Sequence, residues 1–446
     1  LIIKNKNIHR LKSFFIFLYS PFGTFALALI ALAIYLFIML RSTFPETNKV
    51  AEIYYAGDIS YAHQLVIDEF NKEYKGKIKV IPIDLSFKEF TTNDRKELIA
   101  RALRSKSDKF DLFSVDQIWV KRFAKWGEPL NSYISQNELK NILPEPLMSC
   151  YSNDTLVAVP INIDAGIMYY REDLLERLKN YNRILSKLDD TITWDDFIKL
   201  GEQLNTKENP FYIFPAADYE GLICSYMELA LSASPKIFDS KRKINLLAPA
   251  SVNALQLLVD LVQRYHISPT SVLGFDETAS FQYFITNNGY FLRGWPSYEK
   301  DKKNLYNYAD QKKVINYAPL PRLKGAPPGV ILGGWNLMLS KSSRNKDAAI
   351  KFLKFITSKK AQETLYEKGG YLPVLNSFYT DAKYPKLKFF KKLIDFGIHR
   401  PFREDYTSIS EVLAYYIHRA INGDMTVYQA LSQANNMINA GKLVIK

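Results

Sequence analysis

The sequence predicts an α/β protein of two lobes behind an N-terminal membrane-spanning segment. Three observations carry that expectation. The chain has 446 residues, more than one ordinary hydrophobic core organises, so two lobes of about 150–200 residues each are expected. Short apolar runs that end in polar turns alternate with helical patterns along most of its length, the signature of strand–helix units. Residues 13–40 contain no charged side chain, and a hydrocarbon core is crossed by about 20 such residues.

The elements follow in order. Lys4, Lys6, Arg10 and Lys12 make residues 1–12 a basic tail, which under the positive-inside rule stays in the cytoplasm and sends the rest of the chain outside. Residues 13–40 are the anchor or signal segment. No small-x-small cleavage pattern follows it, which favours an uncleaved anchor. Residues 41–50 form a polar linker. Ile53, Tyr54 and Tyr55 open a strand ending at Gly57-Asp58, and the helix after Ser60 carries Leu65, Val66 and Phe70. A second strand is expected from Ile78 to Ile83, then a helix from Asp94 to Leu103 with Leu98, Ala100 and Ala102 inward. Phe110 to Asp116 reads as a third strand. Ligand crevices in open α/β sheets lie at the carboxyl ends of strands, so Asp58 and Asp116 stand where binding groups belong, although either also suits a helix N-cap.

Beyond the first crossover, Val157 to Ile163 and Ile167 to Tyr170 read as strands on either side of Asp164-Ala165-Gly166. Thr193-Trp194-Asp195-Asp196 opens a helix, Glu220-Gly221-Leu222 another, and Pro249 to Tyr265 a long one. Gly289 to Leu292 is a strand leading into Arg293-Gly294-Trp295-Pro296. Looser chain is expected at Tyr181 to Asp190 and at Leu320 to Pro328. Gly333-Gly334-Trp335-Asn336 reads as an opening ahead of a short strand, Leu337 to Leu339. Asn345 is positioned to cap the next helix, whose apolar face repeats as Ala349, Phe352, Leu353 and Ile356. The indole of Trp335 beside two glycines is a candidate ligand platform, although residue type alone favours a core tryptophan. From Lys386 onward the pattern is helical.

Composition excludes several classes. The formal charge is +13, of which residues 1–41 supply five cations and no acid. The remaining lysines are scattered in pairs with no zinc-finger, helix-turn-helix or RNP-like motif, so no nucleic-acid role is expected. Dispersed histidines leave no metal-ligand spacing, and no glycine-rich phosphate loop is present, so neither metal nor nucleotide cofactor is expected. Cys150 and Cys224 are read as two buried thiols. A 14% aromatic content, with Tyr 29 and Phe 28, gives ample material for ring-stacking sites.

Taken together, several motifs carry a resemblance. In order they are Phe110–Asp116 with Trp119, Val159-Pro160 with Asp164, Tyr169-Tyr170-Arg171-Glu172-Asp173-Leu174-Leu175, and Thr193-Trp194-Asp195-Asp196-Phe197. Tyr219-Glu220-Gly221-Leu222, Arg293-Gly294-Trp295-Pro296, Gly333-Gly334-Trp335-Asn336 and Gly370-Tyr371-Leu372-Pro373 complete the series. From about residue 50 to 440 it resembles family 1 extracellular solute-binding proteins of ABC sugar importers, in the maltose/trehalose-type subgroup. The resemblance implies a two-lobed periplasmic-binding-protein type II fold, with residues 51–160 plus 323–376 in lobe 1 and 161–322 plus 377–446 in lobe 2. A disaccharide or small glycoside is then captured between the lobes and passed to ABC permease subunits, on the extracytoplasmic face of the membrane and without chemistry on the ligand.

Carried over residue by residue, Trp295 and Trp335 match indoles that stack on pyranose rings. Asp58, Asp116 and Glu220 match carboxylates that accept from sugar hydroxyls. Arg95 and Arg400 match arginines that donate to sugar oxygens, while Asp164, Tyr169 and Gly334 complete the implied ligand-binding set. The family implies a monomer. Two departures bear on ligand identity: Phe214-Pro215 precedes the Tyr-Glu-Gly-Leu motif, and Ala233-Ser234-Pro235 follows its helix. A cysteine for lipid attachment is also absent near the anchor, the first being Cys150. Two other readings fit part of the pattern, a glycosidase using paired carboxylates and a sensory sugar-binding ectodomain.

Overall fold

The structure is a computed structural model that describes residues 20–43, 50–86, 89–90, 92–105, 110–206, 208–238, 243–298 and 314–443. It divides into a small unit that includes the helix Pro21–Thr43 and the segment Tyr74–Lys79, and a large unit of Glu52–Glu73 and Val80–Lys446. Of the expected span 13–40, residues 13–19 lie outside the described residues. Among the described residues no helix is long and apolar enough to cross a membrane.

The first sheet contains β1 (Ala51–Gly57), β2 (Ile78–Asp84) and β3 (Leu112–Asp116). After the hairpin of β4 (Tyr151–Ser152) and β5 (Thr155–Leu156), it gains β6 (Val159–Ala165). A second sheet collects β7 (Ile167–Arg171), β8 (Tyr212–Ile213), β9 (Phe291–Gly294) and β10 (Ile315–Ala318), before β11 (Ile331–Leu339) and β12 (Ile398–His399) return to the first. The orders are β12-β11-β3-β1-β2, with β6 also on β11, and β10-β7-β9-β8. Because β1 and β3 are parallel, both deliver their carboxyl ends to one edge.

The chain passes between the sheets at Gly166, the single residue between β6 and β7. A Cβ there would lie 2.2 Å from Glu228 Oε1, so only glycine lets the backbone approach the buried carboxylate this closely. That carboxylate is ion-paired at 2.6 Å with Arg293, which is fully buried at the end of β9. The helix Glu220–Ala233 is buried along nearly its whole length and packs on the helices Pro249–Gln263 and Tyr406–Asn422. Ile409, Val412, Leu413 and Tyr416 face inward from the last of these.

Four local expectations need correction. Gly333-Gly334-Trp335-Asn336 lies inside β11 and does not precede it, because the segment is flanked on both sides by ladder partners in β3 and β6. The helix Thr92–Arg104 buries Arg95, Lys96, Ile99, Ala100 and Leu103 and exposes Leu98. Its inner face carries two cations, which a search for apolar periodicity skips over. Tyr181–Asp189 is a helix with Ile184 and Leu188 buried, so that segment is not loose chain. Asn345 makes no side-chain cap; its Nδ2 donates to the Glu52 carbonyl at 2.8 Å. The two cysteines are buried free thiols, as expected.

Candidate ligand-binding site

Strand ends and helix starts converge on a cavity of about 670 Å³ within the large unit. Of the ten sequence-derived site residues, nine line it: Asp58, Arg95, Asp116, Asp164, Glu220, Trp295, Gly334, Trp335 and Arg400. Tyr169 does not. It is buried on β7, and its hydroxyl donates to the backbone carbonyl of Trp295 at 2.7 Å. It therefore positions the segment that carries an indole of the cavity.

Arg400 is the electrostatic centre. Directly after β12, it is almost wholly buried and donates to Glu220 Oε1 at 2.7 Å and to Asp116 Oδ1 at 3.0 Å. Asp116 ends β3 and also caps the following turn by accepting from the Ile118 amide at 3.2 Å, so the N-cap open to it in the sequence is present while it also lines the cavity. Glu220 begins its helix, where the exposed amide dipoles favour a negative charge. It also accepts from the Tyr406 hydroxyl at 2.8 Å and from Ser410. Burial pulls the Glu220 carboxyl upward and the Arg400 charge opposes it. The donors that converge on Glu220 offset part of that rise.

Asp164 differs from these. Its Oδ2 accepts from Asn162 Nδ2 at 2.9 Å, while Oδ1 is buried with no hydrogen-bond partner. Burial, opposed by the Asn162 hydrogen bond and reinforced by the charge of Asp116, pushes its pKa up to about 7. His63, also in the lining, moves the other way, to about 4, because burial disfavours the imidazolium and Arg95 repels it.

The two indoles are held by different means. Trp335 stands opposite Asp116 in β3 and Asn162 in β6. The Arg95 guanidinium lies 4.3 Å from its ring centre, and Trp119 meets it edge-on at 5.8 Å. Trp295 has Arg293 4.0 Å from its ring centre, and the pairing of that arginine with Glu228 fixes it in place. A Cβ on Gly333 would lie 3.2 Å from the Trp295 ring and 3.3 Å from Asp164 Cβ. The glycine leaves room for indole and carboxylate side by side.

Sequence reasoning missed other lining groups, among them Tyr61, Asn162, Asp276, Glu277 and Tyr298. Asn162 had a legible signal: it sits two residues before Asp164 on one strand, hence on the same face. Asp276 also had one, since it caps the helix Glu277–Thr286 by accepting from the Ala279 amide at 2.8 Å. Among the described residues no group of histidine, cysteine or acidic side chains is arranged to hold a metal. A cavity lined by rings and hydrogen-bond acceptors is suited to binding a polar ligand.

The family model for bacterial extracellular solute-binding proteins matches residues 56–363, well over half of the chain. This chain belongs to that family. Membership puts its work outside the cytoplasm. A probable ABC transporter-binding protein of Deinococcus radiodurans is 28% identical over 304 residues, 68% of this chain and 71% of that protein. A mannitol-binding protein of Pseudomonas aeruginosa is 22% identical over 289 residues, 62% of this chain and 63% of its own. Among solved structures, maltose-bound T. maritima MalE3 superimposes with a TM-score of 0.76 at 26% identity, covering 88% of this chain and 100% of the other. An ABC transporter solute-binding protein of Thermotoga lettingae bound to α-D-tagatose has the same fold, with a TM-score of 0.76 at 22% identity over 88% of this chain and 99% of its own. The two-lobed α/β periplasmic-binding-protein fold expected from the sequence is the fold of these neighbours. Both relatives and neighbours are binding proteins, so the solute-binding family member described here is not an enzyme and the glycosidase reading falls away.

Proposed function

We propose that this solute-binding protein captures a disaccharide or small glycoside, of the maltose/trehalose type, and delivers it to the permease subunits of an ABC importer. The observation that carries this reading is the meeting of two indoles, Trp295 and Trp335, with the acceptors Asp58, Asp116, Asp164 and Glu220 in one cavity. Sugars present apolar ring faces and a rim of hydroxyls, and that combination satisfies both kinds of group. Arg95 and Arg400 orient the acceptors and donate to ligand oxygens, and Gly334 lets the strand approach the ligand. The lobe division at 51–160 with 323–376 and 161–322 with 377–446 puts Trp335 and Trp295 in different lobes, so closure on the ligand brings the indoles together. Calorimetry of the folded protein with trehalose, maltose, sucrose and glucosylglycerol tests the reading. Micromolar binding of at least one is expected, and no binding of any at millimolar concentration overturns it.

The protein acts as a monomer tethered to the membrane by its N-terminal segment, with its first residues in the cytoplasm. Support comes from the uncharged run 13–40 and from large apolar side chains left exposed on the helix Pro21–Thr43, including Phe22 at 74% and Phe25 at 64%. Fractionation of cells producing the full chain is expected to find it in the membrane pellet after a high-salt wash. Recovery in the soluble extract overturns the tether.

A further inference from the structure

The cavity has a lopsided charge. Eight carboxyl groups line it against two guanidinium groups, and each guanidinium already faces a protein partner. Arg400 is held between Asp116 and Glu220, and Arg95 sits over the Trp335 ring. His63 is kept neutral by burial. Two of the remaining acids have only uncharged donors: Asp84 accepts from the Ile59 amide at 3.0 Å and Asp276 from the Ala279 amide at 2.8 Å. Asp164, Asp218 and Glu277 also line it, and burial favours the neutral form of each.

Within that field, Asp164 Oδ1 is a buried acceptor with no partner. A buried lone pair without a donor costs about 1–3 kcal/mol, and native structures retain such groups where something else supplies the donor. Asp164 shares the flank of Gly333 with the Trp295 ring. A carboxylate next to an indole offers a cation both a charge-assisted hydrogen bond and a ring face. A hydroxyl would satisfy the hydrogen bond, but only a cation would also hold the buried carboxyl in its charged form. An ammonium group does both, whereas an anion placed beside Asp164 and Trp295 would meet a carboxylate and the negative face of a ring.

We propose that the natural ligand carries a basic amine: the cavity prefers an amino-substituted glycoside to its neutral parent and rejects the phosphorylated analogue, with Asp164 receiving the ammonium. The proposal rests on the sugar-binding reading above and narrows its ligand class.

The test is calorimetry on the full chain with one skeleton in several charge states: trehalose, its 2-amino-2-deoxy and 6-amino-6-deoxy derivatives, and trehalose 6-phosphate. At least one amine is expected to bind at least about tenfold more tightly than trehalose, as a charge-assisted contact should, and the phosphate not to bind. Asp164→Asn is expected to bring the amine-to-neutral affinity ratio close to one. Amines that bind no better than trehalose, a phosphate that binds as well as trehalose, or a ratio untouched by Asp164→Asn each overturn the proposal while leaving the sugar reading intact. If no member of the panel binds the folded protein, both fall together.

Discussion

Arg400 and Glu220 are joined by a 2.7 Å hydrogen bond although 180 residues separate them in the chain. The same guanidinium reaches Asp116 at 3.0 Å, so one cation from the loop after β12 ties the end of β3 to the start of the helix Glu220–Ala233. Removing one side of a buried ion pair leaves uncompensated charge, which costs about 3–5 kcal/mol. Arg400→Leu is expected to lose about that much in urea unfolding. Adding Asp116→Asn and Glu220→Gln should recover part of the loss, since the orphaned charges then disappear. A single variant within about 1 kcal/mol of the parent would show that the triad is not a structural centre.

Ligand stacking predicts a separate outcome for the indoles. Trp295→Ala and Trp335→Ala are each expected to weaken sugar binding by more than tenfold, about 1.4 kcal/mol or more, in calorimetry or ligand-induced fluorescence. Trp335→Ala should also release Arg95, whose guanidinium stands 4.3 Å from that ring, whereas Trp295→Ala leaves the Arg293–Glu228 pair intact. Undiminished affinity in both variants would remove the stacking model.

How far the sequence anticipates this site depends on whether a residue's partner is local. Asp58, Asp116 and Trp335 were legible because strand periodicity places them at strand ends or beside glycines. Arg95 and Arg400 were reachable only through resemblance. Arg95 sits on a helix face whose inward side also buries Lys96, and Lys96 is neutralised by Glu411 at 2.7 Å from 315 residues away. Periodicity assigns cations to solvent, so it rotated that helix and put Leu98 inside. The bond from Tyr169 to the Trp295 carbonyl was likewise invisible. A tyrosine on an apolar strand gives no hint that its hydroxyl reaches a backbone 126 residues on.

Asp164 makes stability depend on pH with a definite sign. Its pKa rises from 3.8 in the unfolded chain to about 7 in the folded one, so between those values the native state holds a proton that the unfolded state has released. Stability then falls as pH rises from about 4 to about 7, by up to about 1.4 kcal/mol per pH unit for one proton. Asp164→Asn removes this term. Urea unfolding is expected to show the variant gaining on the parent at pH 7–8, with the gain vanishing near pH 4. Parallel pH profiles for the two proteins would place the carboxyl at its ordinary pKa.

The two glycines of β11 should fail differently. Gly334 has φ of +136°, and a Cβ there would come 2.5 Å from the Asn162 carbonyl oxygen in β6. Neither a side chain nor a small shift relieves a clash with a paired strand, so Gly334→Ala is expected to lose about 1–3 kcal/mol of stability or more. Gly333→Ala meets its neighbours at 3.2 and 3.3 Å, and they are the Trp295 ring and Asp164 Cβ. Those side chains can give by a few tenths of an ångström, so its stability cost should be smaller. The cost appears instead in ligand affinity, because indole and carboxylate are pushed apart where the sugar is to sit. Denaturation and calorimetry on both variants separate the effects. A Gly334→Ala protein within about 0.5 kcal/mol of the parent, or a Gly333→Ala protein with unchanged affinity, would show that the backbone here has room the geometry denies.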